Sequence, residues 1–252
     1  MHELALVGVG SAHPDHVTPA ARRALTEADL ILLPHKGAEK ADLADLRQAL
    51  LAGLGARATI VEFEMPARDR DGPDYLAGVE DWHDRVAGAW AGCLRSGLPD
   101  GGCAALMIWG DPSLYDSSLR IADRLPALDL PVTLRVIPGL TSMQLLTAAH
   151  TIPLNALGAP VMVTTGRRLR EAGWPEGVER AVVMLDGSCS FRHLAAPDRF
   201  QIWWGAYLGM AEEMLESGRL DIAGPRIVAA RAAARERHGW IMDIYLLERH
   251  LR

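Results

Sequence analysis

The residues best suited to chemistry gather in two short segments. Near the amino terminus, Gly8 and Gly10 lead into Ser11, His13, Asp15 and His16. Two imidazoles and a carboxylate in one loop suit general acid or base work, because histidine titrates near neutral pH. Their spacing matches no standard metal site, and the same side chains can equally cap the loop itself. The glycines invite a dinucleotide-binding reading, but the third glycine of that fingerprint is missing and Pro14 follows. What they do allow is close approach of another molecule to a strand end. The second segment, Gly110-Asp111-Pro112-Ser113-Leu114-Tyr115, follows directly on an apolar run. A turn of this composition presents backbone N–H and C=O groups outward, with Asp111 as its local cap, and can hold a polar ligand without side chains.

The elements that position these segments follow from apolar patterning. Short apolar runs over 3–9, 30–33, 58–63, 103–109 and 132–137 predict strands, and helical patterns over 18–28, 41–51, 75–96, 117–125 and 141–149 alternate with them. Such a βαβ rhythm predicts parallel pairing, with both segments at the carboxyl ends of strands. Tyr75, Trp82 and Trp90 share one helix face, which is expected to pack on the sheet or a partner chain. Beyond 150, strands are expected over 160–164, 181–185, 200–204 and 240–247, and helices over 210–216 and 226–235. The cluster Arg231, Arg235 and Arg237 is expected on an exposed helix face.

Composition narrows the partners. Of 252 residues 49% are hydrophobic and 23% charged, which is ample for a buried core. A net charge of −6 gives no global attraction for nucleic acid or anionic membranes, so an anionic ligand needs a local basic patch. Cys93, Cys103 and Cys189 form neither a metal set nor an even disulfide framework, which suits a reducing cytoplasm. No run approaches the roughly 20 apolar residues of a membrane helix, and neither export nor insertion is expected.

Read in order, VGVGSAHPDHVTPAA, ADLILLP, IWGDPSLYDS and VIPGLTSMQLLTAAHTIPL form a series that resembles the tetrapyrrole methylase family. The likeness spans most of residues 4–155, and its Gly-Asp-Pro and Pro-Gly-x-(Ser/Thr)-Ser elements are its most specific part. The resemblance implies two α/β domains, 1–137 with a mainly parallel sheet and 138–252 with a mixed one. It implies S-adenosyl-L-methionine as methyl donor in a trough between them, and S-adenosylhomocysteine as product. Carried over residue by residue, it assigns Gly110, Asp111, Pro112, Leu114 and Tyr115 to the donor, with Thr141 and Ser142 from the second motif. VVMLDG adds Met184 and Leu185, and GAYLG adds Tyr207 and Leu208. Family members often carry Gly-Pro-Gly-Asp where this chain has Gly10, Ser11, Ala12 and His13.

Within the family, KGAEKADL, Trp82-His83, VVMLDGSCSF and GWIMDIYLL are most similar to the members that methylate ring carbon 1 of precorrin-5. That likeness implies hydrolytic loss of an acetyl group, giving precorrin-6A and acetate. Hydrolysis needs a base for water and a donor for the oxyanion, for which Asp243, His13, His16 and Tyr115 are candidates. A polycarboxylate substrate needs arginines, for which Arg167 with Arg168 and Arg68 with Arg70 are candidates. The family likeness also implies a homodimer. Other readings are a sibling methylase, such as one acting on carbon 20 of precorrin-2, an RNA- or protein-modifying member, and a donor-binding protein without turnover.

Overall fold

The computed structural model describes residues 1–35, 41–68 and 75–250, with the side chains of 41–44 and 75 also outside the description. The chain divides into two compact units, Met1–Thr141 and Ser142–Arg252.

In the first unit the strands are β1 (His2–Gly8), β2 (Leu30–His35), β3 (Thr59–Glu64), β4 (Gly102–Ile108) and β5 (Val132–Ile137). They form one parallel sheet in the order β3-β2-β4-β1-β5. Helices α1 (Pro19–Thr26), α2 (Ala41–Leu54), α3 (Tyr75–Gly97) and α4 (Ser118–Ala122) connect them. Successive strand side chains point to opposite faces, so the unbroken apolar run of β1 needs cover on both. Leu4 and Leu6 pack with Val86, Trp90 and Leu94 of α3. Ala5 and Val7 pack with Ala21 and Leu25 of α1 and with Leu50 and Leu51 of α2. Each leucine so buried contributes about 1.5–3 kcal/mol. Of the aromatic stripe, Trp90 is buried and Trp82 packs on the same core cluster, while the Tyr75 side chain lies outside the description.

In the second unit the strands are β6 (Val161–Thr165), β7 (Arg180–Met184), β8 (Phe200–Ala206), β9 (Met214–Arg219) and β10 (Asp243–Arg249). Their order is β6-β7-β10-β8-β9, with β6 and β7 parallel and the other pairs antiparallel. Helices α5 (Ser142–His150), α6 (Gly166–Ala172) and α7 (Leu220–His238) complete it. Ile202 and Trp204 of β8 pack toward Ala223 and Ile227 of α7, while Trp203 faces Leu146 of α5.

Two expectations are corrected here. The stretch 210–216 is not a helix: it closes a hairpin and enters β9, with Ala206 paired to Met214 and Gln201 to Arg219. Its Glu, Met and Leu residues favour helix, but pairing with β8 overrides that preference. The Gly209 N–H donates to Glu213 Oε2 at 2.8 Å, which fixes the loop. Arg231 is not solvated, since its side chain is 12% exposed and it ion-pairs with Asp243 at 2.9 Å. It also donates to the backbone carbonyls of Asp186 and Gly187, tying α7 to the end of β7.

Candidate active site

Three loops leave the carboxyl ends of β1, β4 and β5, which are adjacent strands. Gly10 and Gly110 exchange backbone hydrogen bonds at 3.3 and 2.8 Å, an antiparallel bridge that zips the first loop to the second. The Gly139 N–H donates to Asp111 Oδ2 at 2.9 Å and joins the third. A Cβ at Gly139 would lie 2.2 Å from the Gly110 carbonyl oxygen, and Gly110 itself sits at φ +66°, so both positions need glycine. The other oxygen of Asp111, Oδ1, accepts the Ser113 N–H at 2.9 Å and its hydroxyl. Burial pushes the Asp111 carboxyl up, but the hydrogen bonds from Ser113 and Gly139 outweigh it and hold the group below its usual range. Asp111 is therefore an ionised clamp whose hydrogen-bonding capacity is spent on the loops.

Tyr115 is the residue of this loop with the most distinctive backbone. It is 44% exposed and sits at φ +50°, a left-handed conformation that a bulky residue rarely adopts. Burial pushes its phenol up, which keeps it protonated and suits it to donate rather than to act as base. Thr141 is buried where the first unit ends.

The histidines occupy the loop after β1. His16 Nδ1 and Ser11 Oγ are 2.8 Å apart, while His13 caps the turn 14–16 by accepting the Asp15 N–H at 3.2 Å. The rings lie 5.2 Å apart between centroids. His13 is exposed and locally engaged, and His16 is half-buried on Ser11. Among the described residues no three His, Cys, Asp or Glu side chains are grouped to hold a metal ion.

In the second unit, Ser142 opens α5, and Met184 ends β7 half-buried. Leu185 follows at φ +53° and is 66% exposed, an apolar side chain held outward by an unfavourable backbone. Tyr207, also left-handed at φ +51°, is 1% exposed, and its hydroxyl donates to the Trp240 carbonyl at 2.6 Å. Its backbone N–H donates to the Met242 carbonyl at 3.0 Å and its own carbonyl accepts the Met210 N–H at 2.9 Å, so the ring hydroxyl and the backbone are all engaged within the unit. Leu208 is buried against Gly205 and Leu146. Asp243 accepts both the Arg231 guanidinium and the Trp204 indole N–H, each at 2.9 Å. A carboxylate so engaged can serve as a base only after giving up these partners. Arg167 and Arg168 are exposed in the first turn of α6. Arg68 lines a cavity in the first unit, and Arg70 lies outside the described residues.

Sequence reasoning missed Asp186. It is buried, accepts the Tyr245 hydroxyl at 2.6 Å, and takes the backbone N–H groups of Ser188 and Ser190. Burial pushes its carboxyl up, yet the bonds from Tyr245, Ser188 and Ser190 hold it below the usual range. A Cβ at Gly166 would lie 2.3 Å from its carboxyl carbon, so the start of α6 is cut to fit it. Only the Asp-Gly-Ser turn composition of 186–188 hinted at such a cap.

The chain belongs to the tetrapyrrole (corrin/porphyrin) methylases, methyltransferase enzymes whose family model matches residues 3–223. Among curated proteins it is 44% identical over 252 residues to Precorrin-6A synthase (deacetylating) of Sinorhizobium sp., covering 99% of this chain and 96% of that protein. A solved structure of a cobalamin-synthesis-related protein, CobF, from Corynebacterium diphtheriae is 35% identical, with a TM-score of 0.85 and 99% of each chain covered. Uroporphyrin-III C-methyltransferase from Thermus thermophilus, solved with S-adenosylhomocysteine, shares the fold at 19% identity and a TM-score of 0.57, over 98% of this chain and 97% of that one.

Proposed function

We propose that this chain transfers a methyl group from S-adenosyl-L-methionine to ring carbon 1 of precorrin-5 and releases acetate by hydrolysis, giving precorrin-6A in cobalamin biosynthesis. The observation that carries the reading is the 44% identity to a deacetylating precorrin-6A synthase along essentially the whole of both chains. Conformation supports it locally. Hydrogen bonds among Gly10, Gly110, Asp111 and Gly139 lock three loops at the carboxyl ends of adjacent strands, which gives the loop carrying Leu114 and Tyr115 a fixed form for a polar donor. Gly110, Pro112, Leu114, Tyr115 and Thr141 of the first unit, with Ser142, Met184, Leu185, Tyr207 and Leu208 in the second, are the proposed donor contacts. Asp111 acts through the loops it clamps.

A sulfonium methyl is already activated, so these residues chiefly align donor and ring carbon and exclude water. Alignment of that kind can supply roughly 7–11 kcal/mol at best. For acetyl release, protonated Tyr115 is the proposed donor to the ketone oxygen, and His16, steadied by Ser11, the proposed base for water. His13 and Asp243 are held in local hydrogen bonds and are proposed as positioning groups. Arg68, with Arg70, Arg167 and Arg168 in weaker roles, is proposed to meet substrate carboxylates.

The setting proposed is the cytoplasm, which the three unpaired cysteines suit, and a homodimer, which the family likeness implies. Trp90 and Trp204 are core residues and are not available to a dimer surface. No helix among the described residues is long and apolar enough to cross a membrane. An acceptor panel tests the assignment. With donor present, precorrin-5 is consumed and precorrin-2 is not; methylation of precorrin-2 instead would move the chain to a sibling reaction.

A further inference from the structure

At the carboxyl ends of β2, β3 and β4 the first unit forms a partly open cavity of about 350 Å³. Its lining is mixed: Phe63, Trp82, Trp90 and Trp109 supply aromatic surface, Ser117 and Ser118 supply polar surface, and two arginines, Arg47 of α2 and Arg68, reach into it. Arg47 is the unusual one. The largely buried arginines Arg124, Arg180 and Arg231 each ion-pair with a carboxylate, namely Glu80 and Asp84, Glu248, and Asp243 respectively. Arg47 makes no hydrogen bond or ion pair among the described residues, and its Nε is buried without an acceptor. Its one close partner is the Trp109 ring, 4.9 Å from the guanidinium carbon to the ring centroid. A guanidinium carries five N–H donors in a fork that matches a carboxylate. Burial pushes its pKa down to about 10, so it remains charged at neutral pH with that charge uncompensated. The indole N–H of Trp90, in the same wall and 2% exposed, also lacks an acceptor. The carboxylate that does line the cavity, Asp116, has its Oδ1 turned to the Ser118 N–H at 2.7 Å.

An uncompensated cation and an unsatisfied indole N–H in the wall of an aromatic cavity are the complement of a flat ring bearing an anionic arm. The volume lies near the small end of ligand pockets, which run about 300–1,000 Å³, and suits part of a macrocycle rather than the whole. Tyr115, three residues beyond Pro112 in the proposed donor loop, lines the same cavity. We infer that this cavity receives one pyrrole ring of the substrate, its face against the tryptophans and its peripheral carboxylate on Arg47. The inference rests on the reading of the chain as acting on a polycarboxylate tetrapyrrole. It makes Arg47 a substrate-positioning residue, with Arg68 beside it as the second cation of the subsite.

Two variants and two probes test it. Arg47→Leu should raise KM for precorrin-5 about 10- to 100-fold, the range expected for losing a charge-assisted pair, while the affinity for S-adenosylmethionine stays within about twofold. Retained donor binding shows that the variant folds, and Arg47→Lys should recover part of the loss. The second probe is porphobilinogen, a single pyrrole with two carboxylate arms, titrated without donor while the tryptophan indole resonances are followed. Wild-type protein should respond at Trp90 and the Arg47→Leu variant should not. A KM and a porphobilinogen response both unchanged in Arg47→Leu would overturn the subsite. If precorrin-5 is not turned over by wild-type protein, the proposed function fails, and the porphobilinogen titration then decides the subsite alone: loss of its response in Arg47→Leu upholds it, and no response in either protein overturns it.

Discussion

The backbone N–H of Gly139 lies 2.9 Å from Asp111 Oδ2, so one side chain after β4 holds the loop after β5 in place. Because the Gly110 backbone also pairs with Gly10, the three loops form one unit, and the geometry of any donor held there depends on Asp111.

Asp111→Ala should therefore weaken S-adenosylmethionine binding about 10- to 100-fold, since it releases a backbone N–H and a turn together. Titration calorimetry measures it. An unchanged affinity would show that the loops hold their form without the clamp, or that the donor does not use them.

Leu185 separates stability from binding. Replacing it with glycine relieves a left-handed backbone and sacrifices a side chain that is 66% exposed. Leu185→Gly should raise stability by about 0.5–1 kcal/mol in urea unfolding, while donor affinity falls several-fold. A variant that gains stability with no loss of donor affinity would remove Leu185 from the proposed contacts.

Asp186 should make the second unit sensitive to acid. Its folded-state pKa is depressed, so the folded protein binds a proton there less readily than the unfolded chain does. Its stabilising contribution is complete above the unfolded carboxyl value of about 3.9 and is lost as pH falls through the lower folded value. Asp186→Asn should lower stability at pH 7 by roughly 2–4 kcal/mol and flatten the decline below about pH 4. Urea unfolding across that range reads both effects.

Much of the fold was legible because local patterns agreed with it. β5 follows its apolar run residue for residue, and β1 announces a central strand by having no polar alternation. β9 was not legible, because Glu212, Glu213, Met214 and Leu215 favour a helix when isolated and become a strand only by pairing with β8. The Gly-Asp-Pro turn was visible as a cap, but the reach of Asp111 to Gly139 crosses 28 positions of chain. Asp186 with Tyr245 and Arg231 with Asp243 were hidden for the same reason, since each partnership exists only once β7, β10 and α7 have assembled. Arg47 reads in sequence as the polar face of an ordinary helix, and only the cavity beside Trp109 marks it out.

The most direct test of the central claim is an anaerobic incubation of the protein with precorrin-5 and methyl-labelled S-adenosylmethionine, followed by mass spectrometry of the corrinoid and an acetate assay. The account predicts one labelled methyl gained and one acetate released per turnover. A methylated product without acetate, or no product despite donor binding, would contradict it.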